Sequence, residues 1–196
     1  MSTVLTSGQS NSGNFTPHPD GTFMAVCCDV FTKEMPNKYK GQTNQRGQVD
    51  TRETITKVCI SFLTEETIEI EGQMKPRYAS YWGTATLGTP DYPSNVRKFI
   101  KAWFPKLTDE HMARLVLDQF VGKPAYLTIT HSKSQDGKVW ANVTGAMNPP
   151  KGAAIPAIPA DFIRHKDKDA APASAQTASA KPAHIPDGDD NDPLPF

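Results

Sequence analysis

Five stretches of the chain carry the period-two or continuous apolar patterning of extended strands. The first, Gly21 to Phe31 (GTFMAVCCDVF), is rich in β-formers and apolar on both faces. The second, Thr54 to Leu63, sets Val58, Ile60 and Phe62 on one face and Lys57, Cys59 and Ser61 on the other. The third, Arg77 to Leu87, places Tyr78, Ser80, Trp82, Thr84 and Thr86 opposite Arg77, Ala79, Tyr81 and Ala85. The fourth and fifth, Ala125–His131 and Val139–Met147, flank Asp136-Gly137, a dipeptide suited to a tight hairpin turn. Helical spacing occurs only between the third and fourth. There Ser94 is positioned to cap Asn95–Phe104, with Val96, Phe99, Ile100 and Trp103 along one side. Thr108, followed by Asp109 and Glu110, opens a second helix that the pattern carries through Val121, and Gly122 stops it. Between the second and third strands, Glu65, Glu66, Glu69 and Glu71 read as an acidic turn.

The resulting order, β-β-β-α-β-β, is that of an OB-fold. The expected architecture is therefore mainly β: a five-stranded Greek-key barrel with its helices between strands three and four. Flanking segments lack material for a core. Residues 1–14 are rich in Ser, Thr, Asn and Gly and read as a flexible N-terminus, and the folded domain is expected over 15–150. Asn148-Pro149-Pro150 ends it, because consecutive prolines cannot continue a central strand. Residues 151–166, with Ile155-Pro156-Ala157-Ile158-Pro159, form an extended strap suited to lying along the body. Residues 167–186 are Ala/Pro/Ser/Lys-rich and read as a disordered tether, leaving 187–196 as an acidic tip.

The formal net charge of zero conceals a split. Residues 1–169 hold 20 of the 21 Lys and Arg against 17 of the 21 Asp and Glu, a net of +3. Residues 170–196 hold Lys181 against Asp187, Asp189, Asp190 and Asp192, a net of −3. A basic body joined to an acidic tail fits a nucleic-acid binder with a regulatory tail. No run of 18 apolar residues occurs and the polar start is not a signal peptide, so a soluble, cytoplasmic protein without membrane contact is expected. Cys27, Cys28 and Cys59 lie in strand patterns and read as buried free thiols rather than as disulfides or metal ligands.

Binding to single strands requires cations for phosphates and flat faces for bases. The connection between the first two strands offers both, with Lys33, Lys38, Lys40, Arg46 and Arg52 around Tyr39. Lys57, Lys75 and Arg77 accompany the aromatic set Tyr78, Tyr81 and Trp82, of which alternation allows Tyr81 only the face opposite the other two. The fourth hairpin strand pair adds Lys133, Lys138 and Trp140, the last on a polar face with Asn142 and Thr144. Phe99, Trp103, Phe104 and Phe120 are expected in the core. No phosphate loop, nucleophile elbow or His-Glu-x-x-His is present, so no enzyme activity, cofactor or metal site is expected.

The last residues, Asp189-Asp190-Asn191-Asp192-Pro193-Leu194-Pro195-Phe196, combine acids for a basic rim, prolines that hold the peptide extended, and a C-terminal aromatic. This ending resembles the tip of bacterial and bacteriophage single-stranded DNA-binding proteins, an acidic stretch closing on Pro-Phe. Leu194 between the prolines and Asn191 among the acids depart from that pattern. The resemblance implies a bacteriophage protein acting in the bacterial cytoplasm. It would bind single-stranded DNA without sequence preference in replication, recombination and repair. Asp189, Asp190, Asp192, Pro193, Pro195 and Phe196 would recruit partner proteins. The tip is also expected to fold back on the basic groove and compete with DNA, and a homodimer is possible through strand edges or the strap. The alternatives are an adaptor acting only through its tail and a metal-dependent nuclease or recombination enzyme.

Overall fold

The computed structural model describes residues 16–43, 47–134 and 137–168. Five strands form one antiparallel sheet: β1 Gly21–Pro36, β2 Thr54–Ile70, β3 Gln73–Thr84, β4 Pro124–Lys133 and β5 Val139–Met147, in the order β3-β2-β1-β4-β5. Helices α1 (Asn95–Trp103) and α2 (Asp109–Ala113) and a 3-10 turn (Leu117–Phe120) fall between β3 and β4. The protein is thus mainly β, with its few helices where the sequence put them. The edge strands β3 and β5 approach each other and both meet α1, but no ladder joins them among the described residues. The hydrogen-bonded sheet is therefore open where a closed barrel was expected.

Alternation decides the core. Val58, Ile60 and Phe62 of β2 point inward with Ala79 and Tyr81 of β3 and Ala125, Leu127 and Ile129 of β4. α1 covers this face with Val96, Phe99, Ile100 and Trp103. Trp103 is fully buried among Phe62, Phe104 and Phe120, and its Nε1 donates to the Pro124 carbonyl at 2.9 Å, so the ring is packed without an orphaned donor. α1 begins where Ser94 Oγ accepts from Arg97 N at 3.1 Å, and α2 where Thr108 Oγ1 accepts from His111 N at 3.2 Å.

Two boundaries differ from expectation. β2 continues through Glu65, Glu66 and Glu69, so these acids lie along a strand rather than in a turn. The reversal comes later, at Glu71-Gly72, whose φ values of 54° and 75° make the two-residue turn that matches strand twist. The β-branched residues Thr64, Thr67, Ile68 and Ile70 favour the longer strand. The second helix stops at Ala113 instead of reaching Val121. Leu115 and Leu117 pack against the core and Phe120 is fully buried within it, which a continuous helix could not achieve on one face.

A β-bulge at Cys28 breaks the β1–β2 register, with Cys27 opposite Phe62 and Asp29 opposite Ser61. Before it, Phe23, Ala25 and Cys27 face the core; after it, Val30 does. Phe31 and Lys33 consequently face outward. All three cysteines are free and buried, and burial pushes the Cys28 thiol up to about 12.

Two further segments complete the body. Thr16–Asp20 is held by Arg77 Nη1, which donates to Pro17 O at 2.6 Å, and by His131 Nε2, which donates to His18 O at 2.7 Å. The buried His18 ring meets Thr64 Oγ1 at 2.8 Å and packs edge-on to Phe23, and burial lowers its pKa from the usual 6.5. On the outer face of the sheet, Ile158 and Phe162 of the strap cover Val26, Cys28 and Leu63 in a second, smaller apolar cluster. A last 3-10 turn, His165–Asp167, ends the described chain near β1. Among the described residues no helix is long and apolar enough to cross a membrane.

Candidate nucleic-acid interface

The outer face of β1, β2 and β3 gathers side chains that a core cannot use. Register places Lys33 directly opposite Lys57, which in turn is opposite Thr84. One step along, Phe31 is opposite Cys59 and Cys59 opposite Trp82, and the Phe31 and Trp82 rings meet edge to face at 5.8 Å. Further along, Ser61 is opposite Ser80 and Leu63 opposite Tyr78. Trp82 remains 44 % exposed. Among the described residues neither Lys33 nor Lys57 makes an ion pair. Like charges directly opposed across strands are destabilising unless an anion bridges them.

The connection between β1 and β2 is more ordered than a solvated loop. Gly41 N donates to Asp50 O at 2.7 Å, Asp50 N to Gln42 O at 2.9 Å, and Thr43 bridges Val49, so it extends the hairpin. Two of its expected phosphate contacts are already engaged. Arg52 holds Asp50 through Nε at 2.9 Å and Nη2 at 2.7 Å, which keeps the Asp50 carboxyl well below the usual range. Lys40 pairs with Glu53. Lys38 is exposed and Tyr39 is 55 % exposed, so both are presented to solvent. Arg46 lies outside the described residues.

β3 divides its expected residues. Tyr78 and Trp82 face outward, whereas Tyr81 is only 8 % exposed and stacks on Phe99 at 3.9 Å between centroids. A base cannot reach that ring, so Tyr81 belongs to the core and not to the interface. Arg77 Nη1 donates to the carbonyls of Thr16 and Pro17, which ties the side chain to the N-terminal segment while leaving its charge without an acidic partner among the described residues. Lys75 is exposed beside Tyr78. On the β4–β5 hairpin, Lys133 and Lys138 are exposed next to a turn closed by Gly137 N donating to Ser134 O. Trp140, opposite Ser132, is 47 % exposed on the outer side. The hairpin's Asp136 and the tip residues Asp189, Asp190, Asp192, Pro193, Pro195 and Phe196 lie outside the described residues.

Several participants were not foreseen. Phe31 turns outward only because of the bulge at Cys28, which alternation alone does not reveal. The strap lies along the body as its composition predicts, through Ile158 of the Pro-rich run and through residues beyond that run, which the pattern does not single out. Phe162 stacks on Tyr78 at 5.8 Å and His165 on Phe31 at 4.0 Å. Arg164 Nε donates to Asp29 Oδ1 at 3.1 Å, and the His165 backbone N donates to Asp29 Oδ2 at 2.6 Å. Arg164 also pairs with Asp118 of the first 3-10 turn, holding that carboxyl below its ordinary value. The sequence signal was the aromatic and basic content of Phe162 to Lys168.

Among the described residues no three His, Cys, Asp or Glu side chains converge in a way that would hold a metal ion. In comparisons with known proteins, the chain matches no family model and no curated protein.

Proposed function

We propose that the outer face of β1, β2 and β3 binds single-stranded DNA without sequence preference. The observation that carries this reading is the opposed pair Lys33 and Lys57 beside the Phe31–Trp82 pair. A cationic step next to the exposed Trp82 ring, which Phe31 buttresses edge to face, matches a polyanion with unstacked bases. Each base–ring stack contributes about 1–3 kcal/mol whatever the base, and each lysine adds a salt-dependent phosphate contact. Lys38, Tyr39 and Lys75 extend the face, and Trp140 with Lys133 and Lys138 supplies a second margin on the β4–β5 hairpin.

The sheet is best read as an OB-fold barrel. The order β3-β2-β1-β4-β5, with its two edges adjacent and α1 against both, supports that reading, as does the position of the helices between strands three and four. In such barrels single strands lie across strands two and three, which is where the cations and rings collect here. The acidic tip then serves as the recruiting element for replication, recombination and repair proteins, in a phage protein of the bacterial cytoplasm. The full chain titrated with dT oligomers over a salt series tests the reading. Binding with a linear log K against log[salt] and a slope of about −0.7 per phosphate contacted is expected. No binding at low salt would refute it and favour an adaptor working through its tail.

A further inference from the structure

We infer that the strap is a fixed wall of the binding face, and that the cleft it forms with β1, β2 and β3 takes a nucleotide of the bound strand. This inference rests on the reading of that face as a single-strand site. The cleft encloses about 900 Å³, within the ~300–1,000 Å³ of ligand sites generally. Its apolar lining includes Tyr78, Phe162 and Ile70, while Lys75 and Lys168 supply positive charge. Asp161 also lines the cleft, so its cations outnumber its unpaired acids by one. Flat rings with two lysines are complementary to a base and its phosphate rather than to an aliphatic or cationic ligand.

A strap stacked on Tyr78 and Phe31 could instead be a competitor that DNA displaces. Asp29 argues against that. It is 4 % exposed, and both its oxygens are taken by the strap, one by Arg164 and the other by the His165 backbone. Lifting the strap would leave this carboxylate bare, adjacent to Phe31, on the surface that phosphates must approach. It would also uncover Val26, Cys28 and Leu63. With the strap in place the same surface loses the bare charge of Asp29, and the strap's own Lys168 offsets its Asp161. Binding is therefore helped by the strap's presence.

The test uses the full chain with the substitutions Lys75→Gln, Lys168→Gln and Phe162→Ala, titrated with dT oligomers across a salt series. Either lysine variant should flatten the slope by about 0.7 and weaken binding about fivefold near 0.1 M salt. Phe162→Ala should weaken binding as well. Labelling of Cys28, which the strap covers, is followed by peptide mass spectrometry and should be no faster with dT bound. Tighter binding by Phe162→Ala together with faster Cys28 labelling on adding dT would overturn the inference and make the strap a competitor. If the unmodified chain binds dT but all three variants match it, the cleft is off the strand's path. If the unmodified chain binds no dT, the reading of the face itself falls, and the inference with it.

Discussion

Replacing Lys57 by Glu should make the protein more stable and a poorer DNA binder. In the native sheet Lys57 stands directly across from Lys33 with no anion between them. Opposed side chains on neighbouring strands have Cβ atoms about 5 Å apart, so the ammonium groups sit roughly 6 Å from one another. At that separation in water the repulsion is about 0.7 kcal/mol, roughly halved by 0.1 M salt. A glutamate reverses the sign, giving a gain of about 0.5–1 kcal/mol, or about 1–4 °C in Tm. For binding, the change removes one phosphate contact and ties up Lys33 in an ion pair. Losing two contacts should flatten the salt slope by about 1.4 and reduce affinity for dT about 25-fold near 0.1 M salt. Calorimetry and a dT titration on the same preparation measure both effects. A lower Tm would refute the opposed-charge reasoning, and an unchanged salt slope would remove both lysines from the interface.

Gly83→Ala should cost about 1–3 kcal/mol by chemical denaturation, because the new Cβ would lie 2.4 Å from Val96 Cγ2 and 3.0 Å from Tyr81 Oη, where α1 meets β3. His18 is buried with its pKa depressed, so the unfolded chain binds its proton more readily. Its contribution to stability is therefore complete above the usual 6.5 and falls as pH drops below it, and His18→Gln should flatten the loss measured between about pH 7.5 and 5.5. Arg164→Met strands the Asp29 carboxylate and should cost about 2–3 kcal/mol, less than the ~3–5 of a fully enclosed pair because a lifted strap lets water reach the charge. Adding Asp29→Asn should recover part of that loss, and strictly additive effects in denaturation would show that the pair is uncoupled. The same Arg164→Met variant should expose Cys28 to thiol reagents while Cys27, packed in the main core, stays protected.

Much of this architecture was legible in the chain. Strand number, helix placement and both helix caps followed from period-two runs, helical spacing and Ser94 and Thr108, because those signals are local. Alternation likewise assigned Val58, Ile60 and Phe62 to one face and put Tyr81 opposite Tyr78 and Trp82. It could not say which face was inward; that depended on α1 packing Phe99 against Tyr81. The interface was harder to read because charge availability is a tertiary property. Arg52 and Lys40 look like free cations in sequence, yet Asp50 and Glu53 pair with them, and Arg77 is fixed in place by the Thr16 and Pro17 carbonyls. The pairing of Lys33 with Lys57 spans a connection of some twenty residues and depends on a register that no local signal fixes.

The bulge at Cys28 has a consequence for how this surface can be lost or kept. The outward direction of Phe31 and Lys33 is set by how many residues precede them in β1, not by their own chemistry. Deleting Cys28 would remove the bulged residue itself, so that Cys27, Asp29, Val30 and Phe31 alternate regularly opposite Phe62, Ser61, Ile60 and Cys59, and Phe31 and Lys33 keep their outward direction. The distal half of the strand therefore carries a reading frame. A single deletion at the bulge is in frame, and substitutions at Cys28 itself leave the face intact, whereas a single insertion between the start of β1 and Phe31 is out of frame unless a second bulge absorbs it. Insertions in this stretch should be tolerated only with a compensating deletion, while a lone deletion at the bulge should be tolerated by itself, a constraint that a comparison of residue identities alone would miss.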